Sequence, residues 1–182
     1  MSLAQLCNRL SAFRHHVLGR TYFYGALQSH RAPHMKRLAR AEFYRLGRRL
    51  NILEVGSFRG ESAALWGEFG HVTCVDLWPD GTGIFARNMK LLGVDYTSYR
   101  GDSAKLLKQF IEAGHLYDIV YIDGAHDYHG CRSDLELGRQ LVKPGGILCG
   151  DDFDEEHPGV INAVGDILGN VQDREGFYWM NP

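Results

Sequence analysis

The sequence predicts an α/β fold: a mostly parallel sheet with helices on both faces, preceded by a helical extension. Three observations carry this. From residue 51 onward, apolar strand-like runs alternate with helix-like segments, the succession that builds parallel sheets. Two of the runs, Tyr117-Asp118-Ile119-Val120-Tyr121-Ile122 and Ile147-Leu148-Cys149, are continuous rather than alternating, as strands covered on both sides are. The 182 residues are 45% hydrophobic and 23% charged, which suits one folded core and excludes a disordered or fibrous chain.

Taken in order, residues 3–18 and 33–49 read as two helices joined by Tyr22-Phe23-Tyr24. They form an extension over residues 1–49, ahead of a single folded unit over residues 50–182. Strands are expected at 51–55, 72–77, 96–100, 117–123 and 146–151, with helices at 61–69, 83–92, 103–113 and 128–142 between them. In the last of these helices Tyr128, Cys131, Leu135 and Val142 fall on one face of a 3.6-residue period. Lys143-Pro144-Gly145-Gly146 then stops the helix and turns the chain into the next strand. His157-Pro158-Gly159 opens a helix that runs through Leu168, after which fourteen residues leave room only for very short final strands. No internal repeat or low-complexity segment interrupts the pattern.

Composition narrows the function classes. No apolar run approaches the roughly 18 residues of a membrane span, and no secretory signal opens the chain, so a cytoplasmic protein is expected. Cys7, Cys74, Cys131 and Cys149 form no C-x-x-C pair, which points to reduced thiols over zinc knuckles or a disulfide scaffold. Residues 1–50 hold ten Lys or Arg against one acid, Glu42, whereas residues 51–182 hold ten against twenty-one. A basic flank of this kind serves nucleic acid, an anionic surface or the chain's own acidic body. Because its arginines are spread along the segment, packing against the acidic body is the expected use.

The sharpest local signal is Asn51-Ile52-Leu53-Glu54-Val55-Gly56-Ser57-Phe58-Arg59-Gly60-Glu61-Ser62, a strand, a glycine turn and a helix start. Gly56 allows a sharp turn or close approach to a ligand, and Gly60 close packing at the helix start. No glycine stands two positions after Gly56, so the pattern departs from G-x-G-x-x-G. Glu54 would repel a diphosphate and suits a ligand bearing an amine. Twenty positions beyond Gly56, Asp76 ends the next strand, where an acid can accept both hydroxyls of a ribose. Asp102 follows the third strand, and also reads as a helix N-cap. The next strand delivers Asp123, and 28 residues later the following one delivers Asp151 and Asp152. Adjacent parallel strands bring these three carboxylates to one sheet edge, where they repel unless protonated or bound to a cation. A hard divalent cation, Mg²⁺ first, is the chemical match. His126 follows Asp123 closely and can take a proton near neutral pH. His157 is a second candidate base, and His129 reads as a solvent-facing helix residue.

Glu54-Val55-Gly56-Ser57-Phe58-Arg59-Gly60, Val75-Asp76-Leu77, Gly101-Asp102-Ser103 and Asp118-Ile119-Val120-Tyr121-Ile122-Asp123-Gly124 resemble the successive motifs of class I S-adenosylmethionine-dependent methyltransferases, over about residues 48–170. The resemblance implies a Rossmann-like three-layer sandwich. It also implies a cofactor pocket lined by Glu54, Gly56, Ser57, Gly60, Ser62, Asp76, Leu77, Asp102, Ser103 and Asp123, with Asp102 near the adenine. Asp123-Gly124-Ala125-His126-Asp127-Tyr128, Asp134-Leu135-Glu136-Leu137 and Gly150-Asp151-Asp152-Phe153 are similar to small-molecule O-methyltransferases of the macrocin and cephalosporin-biosynthesis type. Catechol O-methyltransferase places an Asp-Asn pair where this chain has Asp151-Asp152, and a lysine base where it has His126. The resemblance therefore implies O-methylation of a small-molecule hydroxyl, with Asp123, Asp151 and Asp152 on the metal and Asp123 and His126 at the reacting centre. A homodimer is a further expectation. Tyr22, Tyr24, His30 and His34 are candidate substrate contacts from the extension. Competing readings are a nicotinamide dehydrogenase, a nucleic-acid-binding or RNA-modifying protein using the basic flank, and a scaffold that has lost catalysis.

Overall fold

The computed structural model describes residues 31–79 and 81–180. Helix α1 (Ala32–Leu46) leads into β1 (Leu50–Val55), α2 (Glu61–Trp66), β2 (Gly70–Asp76), α3 (Gly83–Leu92), β3 (Tyr96–Arg100), α4 (Ser103–Glu112), β4 (Tyr117–Ile122) and α5 (Tyr128–Gly138). A 3₁₀ turn (Arg139–Leu141), β5 (Val142–Gly150), α6 (Pro158–Leu168), β6 (Gln172–Arg174) and β7 (Phe177–Met180) follow. The seven strands form one sheet in the order β3-β2-β1-β4-β5-β7-β6. The first five are parallel and the last two antiparallel. This is the Rossmann-like sandwich that the sequence predicts, and its final strands are present at three and four residues.

Two apolar layers hold the sheet. On one face Ile52, Cys74, Tyr121 and Cys149 pack with Trp66, Phe85 and Met89, and with Met35, Ala39 and Phe43 of α1. On the other, Leu53, Val55, Val120, Ile122 and Leu148 pack with Leu107, Leu135, Val160 and Val164. Burial of this kind contributes about 1.5–3 kcal/mol per large side chain, so Met35 and Phe43 are the two anchors that bind α1 to the sheet. Gly47, in the left-handed region at φ 63°, ends α1, a conformation that a Cβ disfavours. Cys74, Cys131 and Cys149 are free and buried. The helix α5 stops at Gly138, and Val142 belongs to β5, so Val142 is not on the helical face expected for it. The strand begins before the Pro144-Gly145-Gly146 break because it absorbs that break as an irregularity. Its pairing jumps from Tyr117↔Val142 to Ile119↔Ile147.

The basic flank meets the acidic body. Arg48 bonds both oxygens of Asp118 at 2.7 and 2.8 Å, Lys36 pairs with Glu68, and Arg49 with Asp95. No helix among the described residues is long and apolar enough to cross a membrane. The expected helix at 3–18, with Cys7, Tyr22, Tyr24 and His30, lies outside the described residues.

Candidate active site

Register places the site. Val55 is level with Val75 and Ile122, and Ile122 with Gly150. The residues that follow these strand ends therefore meet at the carboxyl edge of the sheet, where ligands of open α/β folds bind. A cavity of about 580 Å³ opens there, a size suited to a small ligand. Of the expected site residues Gly56, Asp76, Leu77, Asp102, Ser103, Asp123, His126 and Asp152 line it. Glu54, Ser57, Gly60, Ser62 and Asp151 are not among the residues that line it.

Asp76 works first on the backbone. Its Oδ2 accepts the Phe58 N–H at 2.8 Å and its Oδ1 the Trp78 N–H at 2.7 Å. Phe58 and Trp78 both have positive φ, 41° and 38°. The carboxylate thus holds two residues in a conformation that costs side chains about 1–3 kcal/mol. The Trp78 indole N–H closes the clasp onto the Phe58 carbonyl at 2.6 Å. Lone pairs on both carboxylate oxygens remain for a ribose diol. Asp102 caps α4 by accepting the Lys105 N–H at 3.0 Å, so it is both cap and cavity residue. The Ser103 hydroxyl donates to Asp134 Oδ1 at 2.7 Å.

Gly56 is in the left-handed region at φ 90°, and a Cβ there would collide with the Asp123 carbonyl. The glycine is required by the closeness of β1 to the end of β4. Glu54 beside it is fully buried, and neither carboxylate oxygen, nor the Ser57 hydroxyl, has a hydrogen-bond partner among the described residues. Burial pushes the Glu54 carboxyl up to about 7, against the pull of the nearby Ser57 and Ser62 hydroxyls. An orphaned buried carboxylate is costly unless something else partners it.

At the ends of β4 and β5 the acids form a triangle in which each pair shares one donor. Tyr121 donates its hydroxyl to Asp123 Oδ2 at 3.0 Å and lies 3.4 Å from Asp151 Oδ2. Arg31 Nη1 donates to Asp151 Oδ1 and Asp152 Oδ1, both at 2.7 Å. His126 Nε2 is 2.9 Å from Asp152 Oδ2 and 3.7 Å from Asp123 Oδ1. These two carboxylates, Asp123 first, draw the His126 ring up to about 10. Burial and the Asp123 charge push Asp151 up to about 7, Arg31 pulling the other way. Burial also raises Asp123. For Asp152, hydrogen bonds from His126 and Arg31 outweigh burial and bring it to about 2. Asp152 has a φ of 58°, and its own N–H is held by Asp151 Oδ1 at 3.0 Å. Gly159 lets the start of α6 press against the backbone of residues 126–128. That brings the His157 ring to 5.1 Å from the His126 ring, with Nδ1 2.9 Å from Asp154.

Residues 53–153 match the family model described as "Methyltransferase domain". The chain belongs to that family. By sequence, no curated protein matches this methyltransferase. By structure it is similar to a putative O-methyltransferase from Klebsiella pneumoniae, at 17% identity and a TM-score of 0.69, covering 97% of this chain and 90% of that one. It is also similar to the O-methyltransferase from Bacillus cereus in complex with SAH, at 16% identity and a TM-score of 0.68, covering 93% and 87%. A third is MycE of the mycinamycin pathway, in complex with Mg, SAH and mycinamycin VI, at 17% identity and a TM-score of 0.65. This chain is covered to 93% there and spans 52% of MycE. At these identities the structures establish the class I methyltransferase fold.

Three residues of the methyltransferase site are absent from the sequence-based set. Arg31 supplies a fixed countercharge to the acids, which the argument from strand spacing took to be missing; 120 residues separate it from Asp151. Tyr121 was legible as a strand residue only, and alternation along β4 puts its hydroxyl two positions before Asp123. Asp134 lines the cavity from α5. His34, a candidate substrate contact, instead lies 3.3 Å from Glu175. His129 sits at the start of α5, where its N–H is capped by Asp127 at 3.0 Å.

Proposed function

We propose that this methyltransferase moves the methyl group of S-adenosylmethionine to a hydroxyl oxygen of a small molecule, assisted by a divalent cation. The observation that carries the reading is the convergence of Asp123, Asp152 and His126 on the cavity that Asp76 also lines, with Asp151 joined to Asp152 through Arg31. The donors fit both groups. Glu54 and Ser57 offer unpaired buried oxygens behind the glycine turn, as an ammonium requires, and Asp76 keeps acceptor capacity for a ribose. Among the described residues, the ligand atoms that lie within 4.8 Å of one another are those of His126, Asp152 and His157. Asp123 and Asp151 would therefore have to turn from His126, Tyr121 and Arg31 to serve one hard cation with Asp152. Mg was found with SAH in the structurally similar MycE, which supports the same reading here.

When bound, S-adenosylmethionine supplies an electrophilic methyl group, and the cation Lewis acidity toward the acceptor hydroxyl. The chain's residues supply alignment and proton transfer. Asp76 would hold the ribose end and Glu54 the amine end, as their acceptor oxygens allow. Asp123, Asp151 and Asp152 would hold the cation, while Arg31 and Tyr121 keep Asp151 in place. His126 Nε2 takes the acceptor's proton. Asp123 and Asp152 favour the protonated ring; a cation held by them would weaken that pull and leave His126 able to accept a proton. The acids and the base are one unit. Titration calorimetry with S-adenosylmethionine, NAD and an oligonucleotide, with and without Mg²⁺, tests the reading. Binding of S-adenosylmethionine alone, and methyl transfer to a hydroxyl acceptor that chelator abolishes, is the expected result. NAD or oligonucleotide binding without S-adenosylmethionine would overturn it.

A further inference from the structure

His157 has no part in the reaction proposed above, yet the fold carries it to His126. A Cβ on Gly159 would meet the His126 carbonyl oxygen at 2.6 Å and the Tyr128 amide nitrogen at 2.7 Å, so the start of α6 reaches residues 126–128 only because residue 159 is glycine. The two imidazole rings then lie 5.1 Å apart. Asp152 reaches both, with Oδ2 2.9 Å from His126 Nε2 and Oδ1 3.8 Å from His157 Nδ1. One ligand atom from each of the three lies within 4.8 Å of the other two. Ligands around a zinc ion stand roughly 3.4 Å from one another, a spacing that small side-chain rotations reach here. Asp154 Oδ1, 2.9 Å from His157 Nδ1, orients that ring, the carboxylate support that metal-binding histidines use. The His126 side chain is 47% exposed, which gives an ion access from solvent.

We propose that His126, Asp152 and His157 form a second metal site, which takes a borderline ion such as Zn²⁺ and, when filled, stops methyl transfer. Two imidazoles and a carboxylate suit Zn²⁺, whereas Mg²⁺ calls for oxygen ligands. Binding of the ion stands apart from the function proposed above. The inhibition rests on that function, because the ion takes His126, its base, and Asp152, one of the three acids assigned to Mg²⁺. The two sites therefore exclude one another, with Asp152 common to both. His157 is the residue that tells them apart.

Calorimetry of the full chain with Zn²⁺ and with Mg²⁺, and the visible absorption of Co²⁺ in place of Zn²⁺, read the two sites separately. His157→Ala should bind Zn²⁺ at least about ten-fold more weakly than wild type and lose the Co²⁺ absorption, with Mg²⁺ affinity within about three-fold. Asp123→Asn should do the reverse, weakening Mg²⁺ and sparing Zn²⁺. In methyl transfer, Zn²⁺ should inhibit in competition with Mg²⁺, and less so in His157→Ala. His157→Gln, whose amide can still donate to Asp154, repeats each measurement where the alanine variant unfolds. Unchanged Zn²⁺ affinity in a folded His157 variant overturns the inference. So does a Mg²⁺ affinity that falls in step with that for Zn²⁺, or methyl transfer that continues with the site filled. Zn²⁺ bound through His157 in a chain that binds no Mg²⁺ overturns the Mg²⁺ reading instead and supports this site.

Discussion

Strand β4 carries a carboxylate near each end, and the fold treats the two oppositely. Near its start, Asp118 is buried and saturated. Arg48 bonds both its oxygens, Lys143 reaches Oδ1 at 3.0 Å, and the Asn51 N–H reaches Oδ2 at 2.8 Å. Burial opposes its charge, but Arg48, Asn51 and Lys143 hold the carboxyl at about 2. Beyond the other end, Asp123 faces acids as well as His126, and it titrates above its ordinary range. A carboxylate surrounded by fixed donors is an anchor with nothing left to give. Carboxylates that share too few donors hold acceptor capacity in reserve, and a ligand can draw on it. The same strand thus separates a saturated acid from one that keeps acceptor capacity in reserve.

The sharpest way to break that contrast is at the reactive end. His126→Ala should slow the chemical step by roughly 10²- to 10⁴-fold, the range for a positioned acid or base, while S-adenosylhomocysteine affinity stays within a few-fold. Single-turnover methyl transfer measures the first and calorimetry the second. A loss of affinity matching the loss of rate would make His126 a binding residue.

Asp118→Ala should do the reverse. Removing the acid leaves Arg48 and Lys143 free to return to water, yet strands the Asn51 N–H, at a cost of about 2 to 4 kcal/mol in denaturant unfolding with the catalytic constant unchanged. The two ends also predict opposite pH limits. Asp118 is lowered on folding, so its contribution of roughly 2 kcal/mol is present above about pH 4 and is lost as the pH falls toward 2. His126 is raised, so its contribution is present below about pH 6.5 and is lost as the pH climbs toward 10. Unfolding followed across pH should lose its acid limb in Asp118→Ala and part of its alkaline limb in His126→Ala.

Much of this was legible in the chain because strands announce themselves. Continuous apolar runs locate β4 and β5, the period-2 geometry puts the acids after them at one edge, and Asp76 and Asp123 follow from that alone. The contacts between elements were not. Arg31 precedes α1 by one residue in an unexceptional Arg-Ala-Pro sequence, and only the packing of Met35, Ala39 and Phe43 on the sheet sets its guanidinium among Asp151, Asp152 and Asp154. Asp134 is likewise an ordinary helix acid until α5 packs beside α4 and brings it to Ser103. The bounds of β5 were misread for a local reason, since a Pro-Gly-Gly break resembles a turn and here lies within the strand.

Between the two extremes lies Asp76, half anchor and half reactive, since its oxygens serve the Phe58 and Trp78 backbone and keep lone pairs for a ligand. Asp76→Ala should weaken S-adenosylmethionine binding by about 1 to 3 kcal/mol, the loss of a charge-assisted acceptor. Because Phe58 and Trp78 also lose their tether, Asp76→Asn, which can still accept one of the two N–H groups, should retain more affinity than the alanine variant. Unchanged affinity in a folded Asp76→Ala would remove it from the ribose site.

The smallest effect is expected at Tyr121, whose hydroxyl links Asp123 to Asp151 from within the core. Tyr121→Phe keeps the ring, with its edge-on contact to Trp66 at 5.3 Å, and deletes only the donor. Asp123 loses a bond that favours its charge, so its carboxyl should titrate higher still and hold a cation less well. Asp123 also opens onto the cavity, and water can replace part of what is lost. The cost should therefore be about 1 kcal/mol, roughly a five-fold weaker response to Mg²⁺ in calorimetry or in activity against metal concentration, with thermal stability within a few degrees of wild type. An effect as large as that of His126→Ala would mean that the hydroxyl touches the reacting atoms. A response within measurement error would mean that Arg31 and His126 hold the acids unaided, and that the reserve at this end of β4 owes nothing to the strand's own interior.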